Sequence, residues 1–92
     1  MKNVHLIVFG RVQGVGFRHY TKLKADEMGI KGWVQNKLDG TVEIEAEGKE
    51  EAVKLFTEEI KKGPRPFAKV KHVEISSFSD DRKGFNDFKV KL

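Results

Sequence analysis

Ninety-two residues suffice for one hydrophobic core but not for a second lobe enclosing a deep cleft, so any site must be shallow and local. The chain has no cysteine, which excludes a disulfide framework and thiolate metal sites and fits a reducing compartment. Its net charge of +4 arises from acids and bases interspersed over 35% of the residues, a balance that permits phosphate or nucleic-acid binding and requires neither.

The first predicted element is a strand over residues 3–9, NVHLIVF. Both of its alternating sets are apolar, as in a central strand with two at least partly covered faces. This run is too short for a signal peptide or a membrane span, so a soluble, cytoplasmic chain is expected. Next comes a glycine-rich stretch, GRVQGVGFR, residues 10–18. The spacing of Phe17, Thr21, Ala25 and Met28 predicts a helix closed by Gly29 at its C-terminal cap. A second strand, GWVQN over 32–36, leads through the hairpin signal Asp39-Gly40 into TVEIEAE, residues 41–47. There Val42, Ile44 and Ala46 alternate with Glu43, Glu45 and Glu47, which predicts a half-buried strand with its glutamates in solvent.

Residues 49–62 read as an amphipathic helix burying Ala52, Val53, Phe56 and Ile60, stopped by Gly63-Pro64. A linker, 65–69, precedes strands over 70–77 and 85–91, which are separated by the polar turn SDDRKG. Phe9, Trp33, Phe56, Phe85 and Phe88 are assigned to the core or its margin, and Asp39, Asp80 and Asp81 to solvated turns. The order βαββαβ plus a C-terminal strand predicts an α+β, ferredoxin-like sandwich: a mostly antiparallel sheet with two helices on one face, residues 1–92 forming one domain. Lys and Glu dominate the charged residues while Asn and Gln are scarce, a bias that resembles proteins from hot environments.

The candidate site is the strand-to-helix turn. Gly14 and Gly16 permit backbone angles that would strain other residues, so successive N–H groups can converge on an anion at a helix N-terminus. Arg18, in the first helical turn, can fork onto two oxygens of a tetrahedral anion. A cation there opposes the helix dipole unless an anion is bound. The other reading is a tight turn that needs glycine for geometry alone. A dinucleotide fingerprint would require glycine where His19 stands, and the Gly-Lys-Ser/Thr of a P-loop is missing. Asn36, ending the second strand, carries a donor and an acceptor suited to holding a water, or to bonding the local backbone. His5, His19 and His72 share no spacing that suggests a metal or a triad, and surface or packing roles are expected for them.

These residues carry a resemblance. Gly10 to Arg18 is similar to the first signature of the acylphosphatases, and GWVQNKLDGTVEIEAEG, residues 32–48, resembles their second. The resemblance covers the whole chain and implies a ferredoxin-like fold. It also implies hydrolysis of acyl phosphates to a carboxylate and inorganic phosphate, without metal or cofactor. Arg18 is then expected to bind the phosphate together with the backbone amides of Gln13, Gly14, Val15, Gly16 and Phe17, and Asn36 to orient the attacking water. The implied partner is a small acyl phosphate acted on by a monomer, with no nucleic acid and no membrane involved. Two other classes stay open: a nucleic-acid-binding module, disfavoured by the three glutamates of the third strand, and an inactive or carbamoyl-phosphate-directed domain of the same fold.

Overall fold

The computed structural model describes residues 1–64 and 66–92. Its elements are β1 (Lys2–Arg11), α1 (Phe17–Met28), β2 (Lys31–Asn36), β3 (Val42–Gly48), α2 (Glu50–Lys62), β4 (Lys69–Ser79) and β5 (Phe88–Lys91). The strands form one sheet in the order β4-β1-β3-β2-β5. All neighbours are antiparallel except β2 and β5, which run parallel. The expected element order and ferredoxin-like architecture are what the chain adopts.

Alternation along the central strands decides which side carries the helices. Val4, Leu6 and Val8 of β1, Val34 of β2, and Val42, Ile44 and Ala46 of β3 are all buried beneath the helix layer. Helix α1 packs on β2 and β5 and α2 on β1, β3 and β4, with the two helices in mutual contact. Phe17, Ala25, Val53, Phe56 and Ile60 descend from the helices into this core. Phe88 enters from β5, its ring centroid 6.1 Å from that of Phe56.

Among the described residues, the opposite face of the sheet carries no helix. His5, Ile7 and Phe9 are half-buried there by neighbouring side chains, so the apolar character of both sets in β1 reflects lateral cover rather than a second layer. The glutamates of β3 are not simply solvated. Glu43 accepts from His5 and Gln35, Glu45 from Trp33 and Asn3, and Glu47, 4% exposed, from Asn3 and from the backbone N–H groups of Lys83 and Gly84. They satisfy polar groups of adjacent strands and tie down the segment before β5, a use that alternation alone does not reveal.

Boundaries differ modestly from expectation. β1 runs on to Arg11, with a register shift between Phe9 and Gly10. At Gly10 a Cβ would lie 2.1 Å from the Lys69 carbonyl oxygen, so only glycine lets β4 approach there. β5 begins at Phe88 rather than residue 85, where its pairing with Gly32 of β2 starts. Of the expected linker, Arg65 lies outside the described residues and Lys69 already belongs to β4.

Candidate active site

The sheet topology brings distant segments to one end of the molecule. Val8 of β1 pairs with Val42 of β3, and Val42 with Asn36 of β2, so the exit of β1, the exit of β2 and the entry of β3 lie side by side. Because β5 runs parallel to β2, its C-terminal end arrives there too, with Lys91 beside Gln35. Asn36 has the parity of Gly32 and Val34, which places it on the helix face just where α1 begins.

The turn from β1 to α1 holds Gly14 at φ 74° and Gly16 at φ 80°, left-handed conformations that favour glycine. Gly16 caps α1 without a side-chain hydrogen bond, and no acid occupies the first turn. Helix α2 shows the usual pattern instead: Glu50 and Glu51 in its first turn, Lys61 and Lys62 in its last. Among the described residues, none of the N–H groups of residues 13–17 is given to a protein acceptor. The end of α1 is therefore a set of uncommitted donors at the positive pole of a helix.

A cavity of about 380 Å³ opens at this point, lined by Val12, Gly14, Gly16, Phe17, Arg18, His19, Asn36 and Val90. Of the residues expected at the site, Gly14, Gly16, Phe17, Arg18 and Asn36 line it. Val15 packs toward the core instead, and the Gln13 side chain turns to the β2–β3 hairpin. Arg18 is half-buried, its Nη1 donating to the Lys91 carbonyl at 3.0 Å. Among the described residues no carboxylate pairs with it. One edge of the guanidinium is thereby fixed by β5, leaving further N–H groups for an anion.

Asn36 supplies the complementary chemistry. Its Oδ1 is buried and lacks a hydrogen-bond partner among the described residues. A buried acceptor left in this state costs about 1–3 kcal/mol, a cost a bound donor would relieve. With the Arg18 guanidinium and the loop N–H groups as donors in the same cavity, an O–H from water is a matching partner for this acceptor.

His19, expected in a surface or packing role, is exposed at the rim of the cavity. Two contributors escape a reading of the sequence. The Lys91 carbonyl reaches Arg18 only through the parallel pairing of β5, which no local pattern encodes. Gln13 is expected to act through its backbone, yet its Nε2 donates to the carbonyls of Lys37 at 2.7 Å and Thr41 at 2.8 Å. The hairpin it grips is itself fixed, since the N–H and hydroxyl of Thr41 both donate to Asp39 Oδ1. Those two bonds, the hydroxyl's first, hold the Asp39 carboxyl below its usual pKa, so this residue is a structural cap rather than a merely solvated turn acid.

Residues 4–90 match the family model described as Acylphosphatase. A relative named acylphosphatase from Ligilactobacillus salivarius is 52% identical over 90 residues, covering 98% of each chain. The crystal structure of acylphosphatase from Bacillus subtilis superposes with a TM-score of 0.95 at 42% identity, covering 100% of both chains. HypF from T. kodakarensis contains a similar unit, with a TM-score of 0.84 at 34% identity over 100% of this chain and 12% of that one.

Proposed function

The chain belongs to the acylphosphatase family, enzymes that hydrolyse acyl phosphates, and from that premise we propose that Arg18, the backbone amides of residues 13–17 and Asn36 carry the reaction. The observation that most supports this reading is the meeting, in one cavity, of a guanidinium with no carboxylate partner, a glycine-shaped helix N-terminus and a carboxamide oxygen of Asn36 with no hydrogen-bond partner, both absences holding among the described residues.

In the proposed mechanism the phosphoryl oxygens sit against the loop amides and the free edge of Arg18. A water accepted by Asn36 Oδ1 is aimed at phosphorus opposite the acyl oxygen. The new O–P bond forms as the acyl O–P bond breaks, and the electron pair of that bond leaves on the carboxylate. The parent acid of that leaving group has a pKa of about 4, so no general acid need protonate it. One proton of the water passes late to a phosphoryl oxygen, giving a carboxylate and dihydrogen phosphate with charge conserved. A loose transition state of this kind asks for charge stabilisation and in-line positioning. Donors supply the first and Asn36 the second, so the proposed reaction uses neither metal nor cofactor.

The cavity holds a phosphoryl group and leaves the acyl portion toward solvent, which fits a range of small acyl phosphates acted on by a monomer. No helix among the described residues is long and apolar enough to cross a membrane, and the proposed cytoplasmic location is compatible with a chain that has no cysteine. Among the described residues, five Lys–carboxylate pairs at helical spacing accompany the proposed heat adaptation. Each is worth only a few tenths of a kcal/mol. A melting midpoint within about 45–65 °C would remove that part of the reading.

The decisive experiment compares hydrolysis of acetyl phosphate with that of a phosphate monoester, chelator present. Cleavage of the first alone is expected. Equal cleavage of both, or loss of activity with chelator, overturns the mechanism.

A further inference from the structure

We propose that the side chain of Gln13 is a positioning residue that sets the separation between the anion-binding loop and Asn36. This inference rests on the functional reading above and extends it to a residue whose side chain does not line the cavity.

The two halves of the site come from different parts of the chain. The loop amides belong to the β1–α1 turn, whereas Asn36 ends β2, and the hairpin that follows it has an exposed tip at Leu38, Asp39 and Gly40. Catalysis by positioning requires that these halves hold a fixed spacing, because a displacement of about 1 Å can cost roughly 10²-fold in rate. Backbone pairing fixes Asn36 to Val42. The phosphate loop is not part of the sheet, and Gly14 and Gly16 give it freedom on one side of Gln13.

Gln13 closes that gap with a single nitrogen. Its two N–H bonds reach the carbonyl of Lys37, directly after Asn36, and that of Thr41, directly before Val42. The same carbonyls already close the hairpin, since Lys37 N–H donates to Thr41 O at 2.9 Å and Gly40 N–H to Lys37 O at 3.2 Å. Gln13 therefore grips both rails of the hairpin at the base, where Asn36 leaves it. On the loop side it is anchored by Val12, which is 2% exposed and part of the core. The contact needs two donors on one uncharged atom. A carboxamide provides that, a hydroxyl offers only one donor, and a carboxylate would face two carbonyl oxygens with none.

The geometry separates binding from turnover. With Gln13→Met the nest, the helix terminus and Arg18 remain, so inorganic phosphate should bind within about 3-fold of wild type. Turnover should fall by about 10- to 100-fold as the loop and Asn36 lose register. In an Asn36→Ala background there is no water-positioning group left to misalign, so adding Gln13→Met should change kcat by less than about 3-fold. Gln13→Glu supplies a second readout. Its carboxyl regains one donor when protonated, so its kcat relative to wild type should rise as pH falls toward about 4, while that of Gln13→Met stays flat.

The test measures kcat on acetyl phosphate and the Kd of inorganic phosphate for wild type, Q13M, N36A, Q13M/N36A and Q13E, with folding followed by circular dichroism. An additive double variant overturns the proposal, as does a fall in phosphate affinity matching the fall in kcat. Should Q13M not fold, the rising acid limb of Q13E decides alone, and its absence refutes the role. If wild type hydrolyses acetyl phosphate and N36A loses turnover while Q13M equals wild type, only this inference fails. If N36A keeps full turnover, the proposed function fails with it.

Discussion

Replacing Arg18 tests the anion site most directly, and the structure sets the size of the effect. Nη1 is engaged by the Lys91 carbonyl at 3.0 Å, which fixes the plane of the guanidinium and presents its remaining N–H groups as a fork. In the proposed binding mode, two charge-assisted hydrogen bonds to phosphoryl oxygens would contribute about 1.5–3 kcal/mol each. Arg18→Ala therefore removes about 3–6 kcal/mol, or roughly 10²- to 10⁴-fold in kcat/KM. Arg18→Lys keeps the charge but offers a point contact without the anchored plane, so about half that free energy is lost, roughly 10- to 10²-fold. The assay is initial-rate hydrolysis of acetyl phosphate across substrate concentration, with phosphate affinity measured by calorimetry on the same samples. An Arg18→Lys variant within about 3-fold of wild type on both measures would falsify the fork and reduce Arg18 to a source of field.

Asn36→Ala should lower kcat by about 10²-fold while leaving phosphate affinity near wild type, as for loss of a single positioned polar group; a parallel fall in affinity contradicts the division of labour. Since the proposed mechanism uses no side-chain base, kcat should be flat through the range where imidazoles titrate; an acid limb that vanishes in His19→Gln would assign that rim residue a proton-transfer role. Acid stability should depend on Glu47. Burial pushes its pKa up, yet the N–H of Lys83, the Asn3 amide and the N–H groups of Gly84 and Phe85 together bring it below the usual value. A depressed native pKa adds stability that is fully present above about pH 4.3 and lost as pH falls through the native value. Glu47→Gln should cost about 1–3 kcal/mol at neutral pH, a drop of roughly 5–20 °C in Tm, and flatten the acid branch of the stability curve. An unchanged Tm at pH 7 with an unchanged acid branch would refute that role.

What can be read from the sequence, and what cannot, divides along the range of the interactions. The helices, the hairpin turn and the glycine pair announce themselves because their causes are local: a 3.6-residue period, Asp39-Gly40, and positive φ at Gly14 and Gly16. Arg18 is legible for the same reason, as a cation at the wrong end of a helix with no acid nearby. Asn36 alone is ambiguous, because its carboxamide suits a turn as well as a site, and only the β2–β3–β1 pairing brings it beside the loop. The side-chain roles of Gln13 and Glu47 and the carbonyl role of Lys91 depend on partners 24 to 73 residues away, which neither periodicity nor composition can specify. All three act to the same end. Gln13 holds the loop to the hairpin, Glu47 fixes the segment entering β5, and β5 ends on the carbonyl that orients Arg18. The chemistry of the site is thus written in short local motifs, while its rigidity comes from long-range bonds to backbone groups. Substitutions at Gln13 and Glu47, whose side chains do not line the cavity, should therefore alter turnover or stability before they alter the affinity of the anion site itself.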